Sequence, residues 1–301
     1  MYKTERTTNN VAIDTSVADT APPTITVAPP SGTKVKNGQR LTIRVTATEP
    51  SIGWQAGVKQ IQIEDLDRHT NLAPWDNPAP APRPCGNTGL THTIERNYVV
   101  PPDVPVAHLK ITARDYHNPQ QALLVEYPTG DWYGWVTWSE TVRNVPTIKP
   151  SRYWGRLDFT VNYDGRGNLT GRMVGIEDFE TSNTRESVAR GGLLCEAKTN
   201  KPTHLEVPLL GQYTAGRNTI SLSVDPLATK YIIGELSYDC PVTPSHQFGR
   251  LDAAIRPELN DIMRDIALTN ERDAEVTREW NPASNGIGML KLKLTLRRAR
   301  N

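Results

Sequence analysis

The sequence contains no run of about 18 apolar residues, the shortest stretch that reads as a membrane-spanning helix. An ordinary transmembrane helix is therefore excluded. The N-terminal residues also lack the apolar stretch of a secretory signal peptide. Three interpretations of this N-terminus stay open: a cytoplasmic protein, a mature form whose signal has been removed, and a sequence with an added Met.

Neither sign of charge dominates the chain. Its 34 Lys and Arg residues nearly balance 33 Asp and Glu residues, which gives a formal net charge of +1. Nucleic-acid-binding proteins neutralise phosphates with a basic face, so we expect no nucleic-acid partner. The 301 residues are 37% hydrophobic and 22% charged, which is typical of a globular protein long enough for two domains.

Sequence motifs of the common catalytic sites are absent. The chain has no Gly-x-Ser-x-Gly, no P-loop and no dinucleotide-binding fingerprint. Its six histidines include no His-x-His or His-x-x-x-His pair, the local spacings that favour a metal site. The sequence therefore predicts no catalytic residue and favours a protein that is not an enzyme.

The chain has only three cysteines, and these have neither metal-ligand spacing nor a Cys-x-x-Cys pair: Cys85, Cys195 and Cys240. Cys195 and Cys240 lie at the ends of strand-like runs in one predicted domain. A disulfide between them would close a loop of about 45 residues and stabilise the fold by roughly 3 to 4 kcal/mol on a chain-entropy estimate. Such a bond favours an oxidising compartment. The alternative is three unrelated thiols in a reducing one.

The sequence patterns of the first half of the chain predict short β-strands. Residues 1–20 show no periodicity and are interpreted as a flexible segment. Residues 41–47 alternate apolar and polar side chains, which is typical of a half-buried strand. Further strands are predicted at 24–27, 58–64, 91–100 and 107–113. The prolines of residues 73–84 favour an irregular loop.

Four segments in residues 20–120 carry a family resemblance. In order, they read Pro-Pro-x-Ile-x-Val, Gly-Gln-Arg-Leu-Thr-Ile-Arg-Val-Thr-Ala, Gly-Val-Lys-Gln-Ile-Gln-Ile and Leu-Lys-Ile-Thr-Ala-Arg-Asp-Tyr-His-Asn. This series resembles the bacterial immunoglobulin-like domains of extracellular and cell-surface proteins. The last strand of that family commonly ends in Ala-x-Asp-x-x-Gly-Asn; Asp115 and Asn118 fit with one intervening residue fewer, and His117 replaces the usual Gly. The resemblance implies a β-sandwich at residues 21–124 that acts as a spacer or binding module.

Residues 125–301 predict a second antiparallel β domain, a sandwich or a barrel. Gly165 and Gly167 accept positive φ, so residues 157–163 and 169–176 should form a hairpin. The Trp-x-Gly strand followed by Tyr-Asp-Gly-x-Gly-Asn-Leu-Thr-Gly is similar to antiparallel β domains of bacterial secreted proteins of unknown function. At the C-terminus, residues 274–280 and 289–297 predict a second hairpin, whose last strand alternates Leu with polar residues.

One α-helix is predicted at about residues 252–268. Its apolar residues recur at steps of three and four, Asp252 can cap its first turn and Pro257 lies within that turn. We interpret it as a helix that packs on the sheet. A docking helix for a partner is the alternative.

Tryptophan is concentrated in the second half, where four of the seven residues lie between positions 132 and 154. Strand alternation places Trp132 and Trp138 on one face and Tyr133 and Trp135 on the other. Most of these rings are expected to be structural. The candidates for a ligand-binding surface, suited to a sugar ring or a protein partner, are Tyr133, Trp135 and the loop residues Trp54 and Trp75.

Acidic residues at strand ends are the candidates for a metal site. Ca²⁺ is bound by six to eight oxygen ligands and is often held between β strands. The first half offers Glu64, Asp65, Asp67 and Asp115 as ligands. A second acidic cluster follows another strand: Glu177, Asp178 and Glu180. The alternative is that these are ordinary solvated residues and no cofactor is bound.

The sequence thus favours a non-enzymatic extracytoplasmic protein, extracellular or on the cell surface, that functions in binding, adhesion or surface assembly. Its partner would be a glycan or a protein. One alternative is a secreted polysaccharide-acting enzyme with an accessory immunoglobulin-like module, which requires a cleft lined by two carboxylates and by Trp135 or Trp154. Another alternative is a toxin or injected effector.

Overall fold

The computed structural model describes residues 21–50, 57–74, 90–116, 120–142, 151–184, 195–225, 228–232, 234–240, 243–251, 258–268, 276–280 and 288–300. These residues are mostly antiparallel strand, with one short α-helix among them, which confirms the predicted mainly β fold. The chain divides into two compact units. The first comprises residues up to Ser31, Arg40–Tyr98 and His108–Val125, and the second comprises Gly32–Gln39, Val99–Ala107 and Glu126–Asn301. The predicted N-terminal segment 1–20 lies outside the described residues.

The strands of the N-terminal half form two antiparallel sheets. They are β1 (Thr24–Ala28), β2 (Arg40–Thr48), β3 (Val58–Asp65), β4 (Thr70–Ala73), β5 (Thr91–Val99), β6 (Val106–Asp115) and β7 (Gln120–Pro128). One sheet has the order β1-β2-β5 and the other β4-β3-β6-β7. Alternation on β2 buries Ile43, Val45 and Ala47, and contacts between β2 and β3 join the two sheets.

The second unit contains a single curled sheet of 12 strands, a half-barrel. Its strands are β8 (Trp132–Val142), β9 (Ser151–Tyr163), β10 (Asn168–Thr184), β11 (Cys195–Lys201), β12 (Thr203–Thr214), β13 (Thr219–Val224), β14 (Lys230–Ile232), β15 (Gly234–Cys240), β16 (Thr243–Leu251), β17 (Ile266–Ala267), β18 (Val276–Trp280) and β19 (Gly288–Arg298). The main path runs β16-β15-β11-β10-β9-β8-β19-β18. β18 and β19 form the C-terminal hairpin.

Strand β10 forks the sheet. Its 17 residues pair with β9 along one side, whereas its other side pairs first with β12 and then with β11. β12 pairs in turn with β13 and β14, so a second branch of the sheet leaves the main path at this point. The two branches allow the sheet to curl around one interior.

The inner face of the curled sheet carries the apolar core. Alternate residues of β8 and β19, among them Val136, Trp138, Leu292 and Leu294, are buried in one cluster with residues of β9, β10, β12 and β13. Two strand glycines, Gly134 and Gly155, also face inward, where a side chain would collide with its neighbours. A Cβ on Gly134 would lie 2.8 Å from the carbonyl carbon of Thr295 on β19. Because glycine alone permits this approach, these positions let the sheet coil tightly.

The α-helix α1 (Glu258–Ile262) packs into the same core through Leu259 and Ile262. It ends earlier than residue 268, so the predicted C-terminal end of this helix is wrong. Asp265 has a φ of 48°, and Ile266 and Ala267 then form β17 against β13. Ile266 is buried as predicted, but as a strand residue, because an apolar side chain four positions beyond the end of a helix fits either structure. The predicted N-terminal part of the helix, residues 252–257, lies outside the described residues.

Within the described ranges, none of the helical segments has the length and apolar character needed to span a bilayer.

Candidate functional site

The outer face of the curled sheet carries an ordered array of polar and aromatic side chains. Antiparallel register aligns the side chains of β19, β8, β9 and β10 in rows across the sheet. One row is Lys291, Ser139, Trp154 and Asp178. The next is Lys293, Thr137, Arg156 and Ile176. Neighbouring strands lie about 4.8 Å apart and successive rows about 6.8 Å apart, so eight side chains from four strands occupy one compact area.

These two rows line a groove of about 520 Å³, which we name the β8 groove. A volume of roughly 300 to 1,000 Å³ is usual for small-molecule sites. Eight lining residues have side chains on the outer face: Thr137, Ser139, Trp154, Arg156, Ile176, Asp178, Lys291 and Lys293. Trp138, Gly155 and Leu292, which alternate with them on the same strands, also line the groove, although the Trp138 and Leu292 side chains belong to the inner core.

The groove exists because side chains of different length alternate from strand to strand. Thr137 and Ser139 on the central strand β8 are short and form the floor. The long side chains Lys291 and Lys293 rise from β19 on one side, and Trp154 rises from β9 on the other. Two strand spacings separate these walls, a distance of about 10 Å between backbones.

The charges of the β8 groove are unevenly distributed. Lys291 and Lys293 are exposed, and neither forms an ion pair with a described residue. Arg156 is half-buried and its guanidinium pairs with the Asp158 carboxylate, with Nη2 at 2.7 Å from Oδ1. Asp178 is half-buried on β10, on the far side of Trp154 from the lysines. The β19 wall therefore presents two uncompensated cations.

The row below the groove contains Trp135. Its ring is contacted by two guanidinium groups, those of Arg156 and Arg297, each with its central carbon 4.8 Å from the ring centroid. Arg297 in turn donates a hydrogen bond of 2.7 Å to the buried Glu126 carboxylate. Trp135 was a predicted ligand-binding residue. It is half-buried, next to the groove but not among its lining residues.

Tyr133, the other strand residue predicted to bind a ligand, is buried with 5% of its surface exposed. Burial raises the pKa of its hydroxyl, and the nearby Glu126 carboxylate raises it further, whereas Arg297 and Arg300 lower it in part. Tyr133 is therefore a packed side chain rather than a lining residue of the groove. The loop residues Trp54 and Trp75 lie outside the described residues.

The four acidic residues predicted as Ca²⁺ ligands do not all converge. Asp65 lies opposite Leu109 and Asp115 opposite Val58, at the two ends of the β3–β6 pair. Asp65 accepts hydrogen bonds from the backbone N–H groups of Asp67 and Arg68. In the described part of the chain, no group of three or more His, Cys, Asp or Glu side chains is placed to hold a metal ion.

Two of these residues have structural partners instead. Asp67 accepts hydrogen bonds from the backbone N–H of His108, at 2.8 Å, and contacts its ring Nδ1 at 3.1 Å. Glu64 lies 4.0 Å from the Lys110 ammonium group. The Asp67 contact joins the turn after β3 to β6, and the Glu64 contact joins β3 itself to β6.

The two cysteines predicted to form a disulfide lie on neighbouring strands. Cys195 begins β11 and Cys240 ends β15, and the backbone register pairs Glu196 with Asp239, the residues adjacent to them. Cys85 lies outside the described residues. The disulfide stays a prediction.

Most lining residues of the β8 groove were missed from the sequence. Lys291 and Lys293 were interpreted as the solvated face of the last strand, and Trp154 entered only the enzyme alternative. Asp178 was noted only as part of an acidic cluster. The sequence could not bring these residues together because the groove depends on the pairing of β8 with β19. Thr137 of β8 and Lys293 of β19 are far apart in sequence but adjacent in the sheet.

No protein-family model matches this chain, and a search of curated proteins gives no match to it.

Proposed function

We propose that the protein is a non-enzymatic extracytoplasmic binding protein and that the β8 groove is its ligand-binding site. The observation that carries this proposal is the composition of the groove. A half-buried tryptophan stands beside a floor of two hydroxyl groups and opposite two exposed lysines. Such a combination offers one ring for stacking and several hydrogen-bonding groups in reach of the same ligand.

A sugar ring suits this groove. An aromatic face stacks on the apolar face of a pyranose, and hydroxyl, carboxylate and ammonium groups then bind its ring substituents. In the β8 groove these roles fall to Trp154 for stacking, to Thr137 and Ser139 from below, and to Asp178 and Lys291 at either end of one row. A protein partner that inserts a polar side chain is the second ligand class compatible with this lining.

The proposal also assigns a role to the first unit. The resemblance of residues 20–120 to immunoglobulin-like domains supports a spacer that holds the binding unit away from a surface. The adjacent strands of Cys195 and Cys240 support a disulfide and therefore an extracellular or cell-surface location.

The enzyme alternative makes a specific demand on the same site. Glycoside hydrolysis uses two carboxyl groups separated by about 5 to 9.5 Å. Asp178 is the one carboxylate that the described lining of the groove supplies. A binding function needs no second carboxylate, only the stacking ring, hydroxyl groups and charged groups that already line the groove.

A glycan and protein binding screen with the full chain tests the proposal. We expect at least one ligand whose binding is lost in Trp154→Ala and retained in Tyr116→Ala. Tyr116 is a matched control because it is also a half-buried aromatic residue, but it belongs to the first unit. Equal binding by both variants to every ligand found would refute the assignment of the site to the β8 groove.

A further inference from the structure

The cations of the β8 groove specify the chemistry of its ligand beyond the general function proposed above, on which this inference rests. We infer that the groove binds an anionic polysaccharide, one whose sugar rings carry carboxylate or sulfate groups. The cations lie close together. Lys291 and Lys293 are two residues apart on one strand, so both project from the same face at a backbone spacing of about 6.8 Å.

The charges of Lys291 and Lys293 are available to a ligand. Arg156 is engaged with Asp158 and with the Trp135 ring, so its charge is partly compensated within the protein. Lys291 and Lys293 have no such partner in the described part of the chain, and both are exposed. An anionic ligand would therefore pair with these two ammonium groups without first breaking an ion pair.

The groove also has two ends of opposite charge, which orient a ligand. Asp178 lies at the opposite end of the row from Lys291, with Trp154 and Ser139 between them. A sugar stacked on Trp154 would direct its acidic group toward β19 and its hydroxyl groups toward the Asp178 carboxylate. Because the two ends of the row have opposite charges, the site favours one orientation of a chain that carries its anions along one edge.

A single-stranded nucleic acid is the other polyanion that combines stacking with negative charge. The charge of the molecule argues against it, because the whole chain has a net charge of only +1 and binding to a phosphate backbone depends on many basic contacts. The short hydroxyl floor formed by Thr137 and Ser139 suits a sugar substituent, whereas the two lysines give two anion contacts.

The experiment compares two pairs of polysaccharides, and the two members of each pair share a backbone but differ in charge. Binding of the full chain is measured to polygalacturonate, to its fully methyl-esterified form, to dextran sulfate and to neutral dextran. We expect binding to polygalacturonate or dextran sulfate and at least about tenfold weaker binding to the neutral partner of each pair. Binding should weaken as NaCl rises from about 0.05 to about 0.5 M, because salt screens contacts between exposed charges.

Two double variants separate the groove from the overall charge. Lys291→Gln/Lys293→Gln and Lys36→Gln/Lys230→Gln each remove two positive charges, but Lys36 and Lys230 are exposed residues of the second unit outside the groove. We expect the first variant to lose at least about tenfold in affinity for the anionic ligand and the second to stay within about twofold of the unmodified chain. Far-UV circular dichroism and thermal unfolding establish that each variant is folded.

The outcomes distinguish this inference from the proposed function. If neutral and anionic partners bind equally, or if both double variants behave alike, the ligand class is wrong, whereas a loss of binding in Trp154→Ala would still support the groove as the site. If Trp154→Ala alters no binding, both proposals fail. Preferential binding of a single-stranded oligonucleotide over all four polysaccharides would overturn the inference in favour of nucleic acid.

Discussion

Replacing the inward-facing Gly134 of β8 with alanine tests whether glycine lets the sheet of the second unit curl. A Cβ at this position would lie 2.8 Å from the carbonyl carbon of Thr295 and 3.1 Å from the Cα of Leu296. Both atoms belong to the backbone of β19, which is paired with β8 along 11 residues, so no side-chain rotation relieves the clash. The two strands must move apart instead.

The expected magnitude follows from three contributions. Overpacking of a core typically costs about 1 to 3 kcal/mol, and the upper part of this range applies because the obstacle is backbone. Lengthening one inter-strand hydrogen bond removes roughly 1 kcal/mol more. Alanine also restricts the unfolded chain, which offsets about 0.4 to 1 kcal/mol of this loss. We therefore expect Gly134→Ala to lower the free energy of unfolding by about 2 to 3 kcal/mol.

Urea unfolding followed by tryptophan fluorescence measures this loss. Four of the seven tryptophans lie between residues 132 and 154, so the signal reports mainly on the second unit. The matched control is Gly216→Ala, because a Cβ on Gly216 meets no atom within 4 Å. That variant should stay within about 0.5 kcal/mol of the unmodified chain. Equal stability of the two variants would refute the role assigned to Gly134.

Three further predictions concern interactions elsewhere in the fold. Arg297→Met should lower the free energy of unfolding by about 2 kcal/mol, because it leaves the buried Glu126 carboxylate without its ion-pair partner. This loss is smaller than the loss for a fully buried ion pair because Arg297 is one-third exposed, and adding Glu126→Gln should recover part of it. Lowering the pH from about 7 to about 3 should destabilise the unmodified chain more than it destabilises Asp164→Asn. Hydrogen bonds to the ionised carboxylate hold the Asp164 pKa below its ordinary value of 3.8, so their contribution to the stability of the turn is lost as this carboxylate is protonated. Mass spectrometry without reductant should find Cys195 bonded to Cys240, with roughly 3 to 4 kcal/mol of stability lost on reduction.

Each of these predictions has a clear contrary result. A double-mutant cycle with no coupling between Arg297 and Glu126 would show that their ion pair does not stabilise the fold. Parallel pH dependences for the unmodified chain and Asp164→Asn would exclude a stabilising role of that carboxylate. Two free thiols in protein purified without reductant would remove one support for an extracellular location.

The faces of individual strands were predictable from the sequence. On β19, the alternation of leucine with lysine, threonine and arginine predicted one buried face, and Leu292, Leu294 and Leu296 are indeed buried. On β8, the same period of two separated Trp138, which is buried, from Trp135, which is half-buried. Alternation succeeds because successive side chains of a strand must point to opposite faces.

Which strands are neighbours could not be predicted in the same way. The hairpin of β9 and β10 was predictable because a short turn with Gly165 and Gly167 at positive φ joins its strands. The pairing of β8 with β19 leaves no such local mark, and the β8 groove depends on it. β14 and β15 follow one another closely in sequence, yet β14 pairs with β12 while β15 pairs with β11 and β16. A sequence pattern indicates which face of a strand is buried but not which strand lies beside it, so it does not reveal this change of partner.

The pairing of β8 with β19 also has a consequence for biosynthesis. A chain that leaves the ribosome from its N-terminus completes β8, β9 and β10 long before β19 has been made. During that interval β8 has an open edge and a tryptophan-rich inner face without its leucine partners, which is a surface prone to aggregation. Ribosome-bound chains that stop before residue 288 should therefore bind chaperones more strongly than chains that include β19.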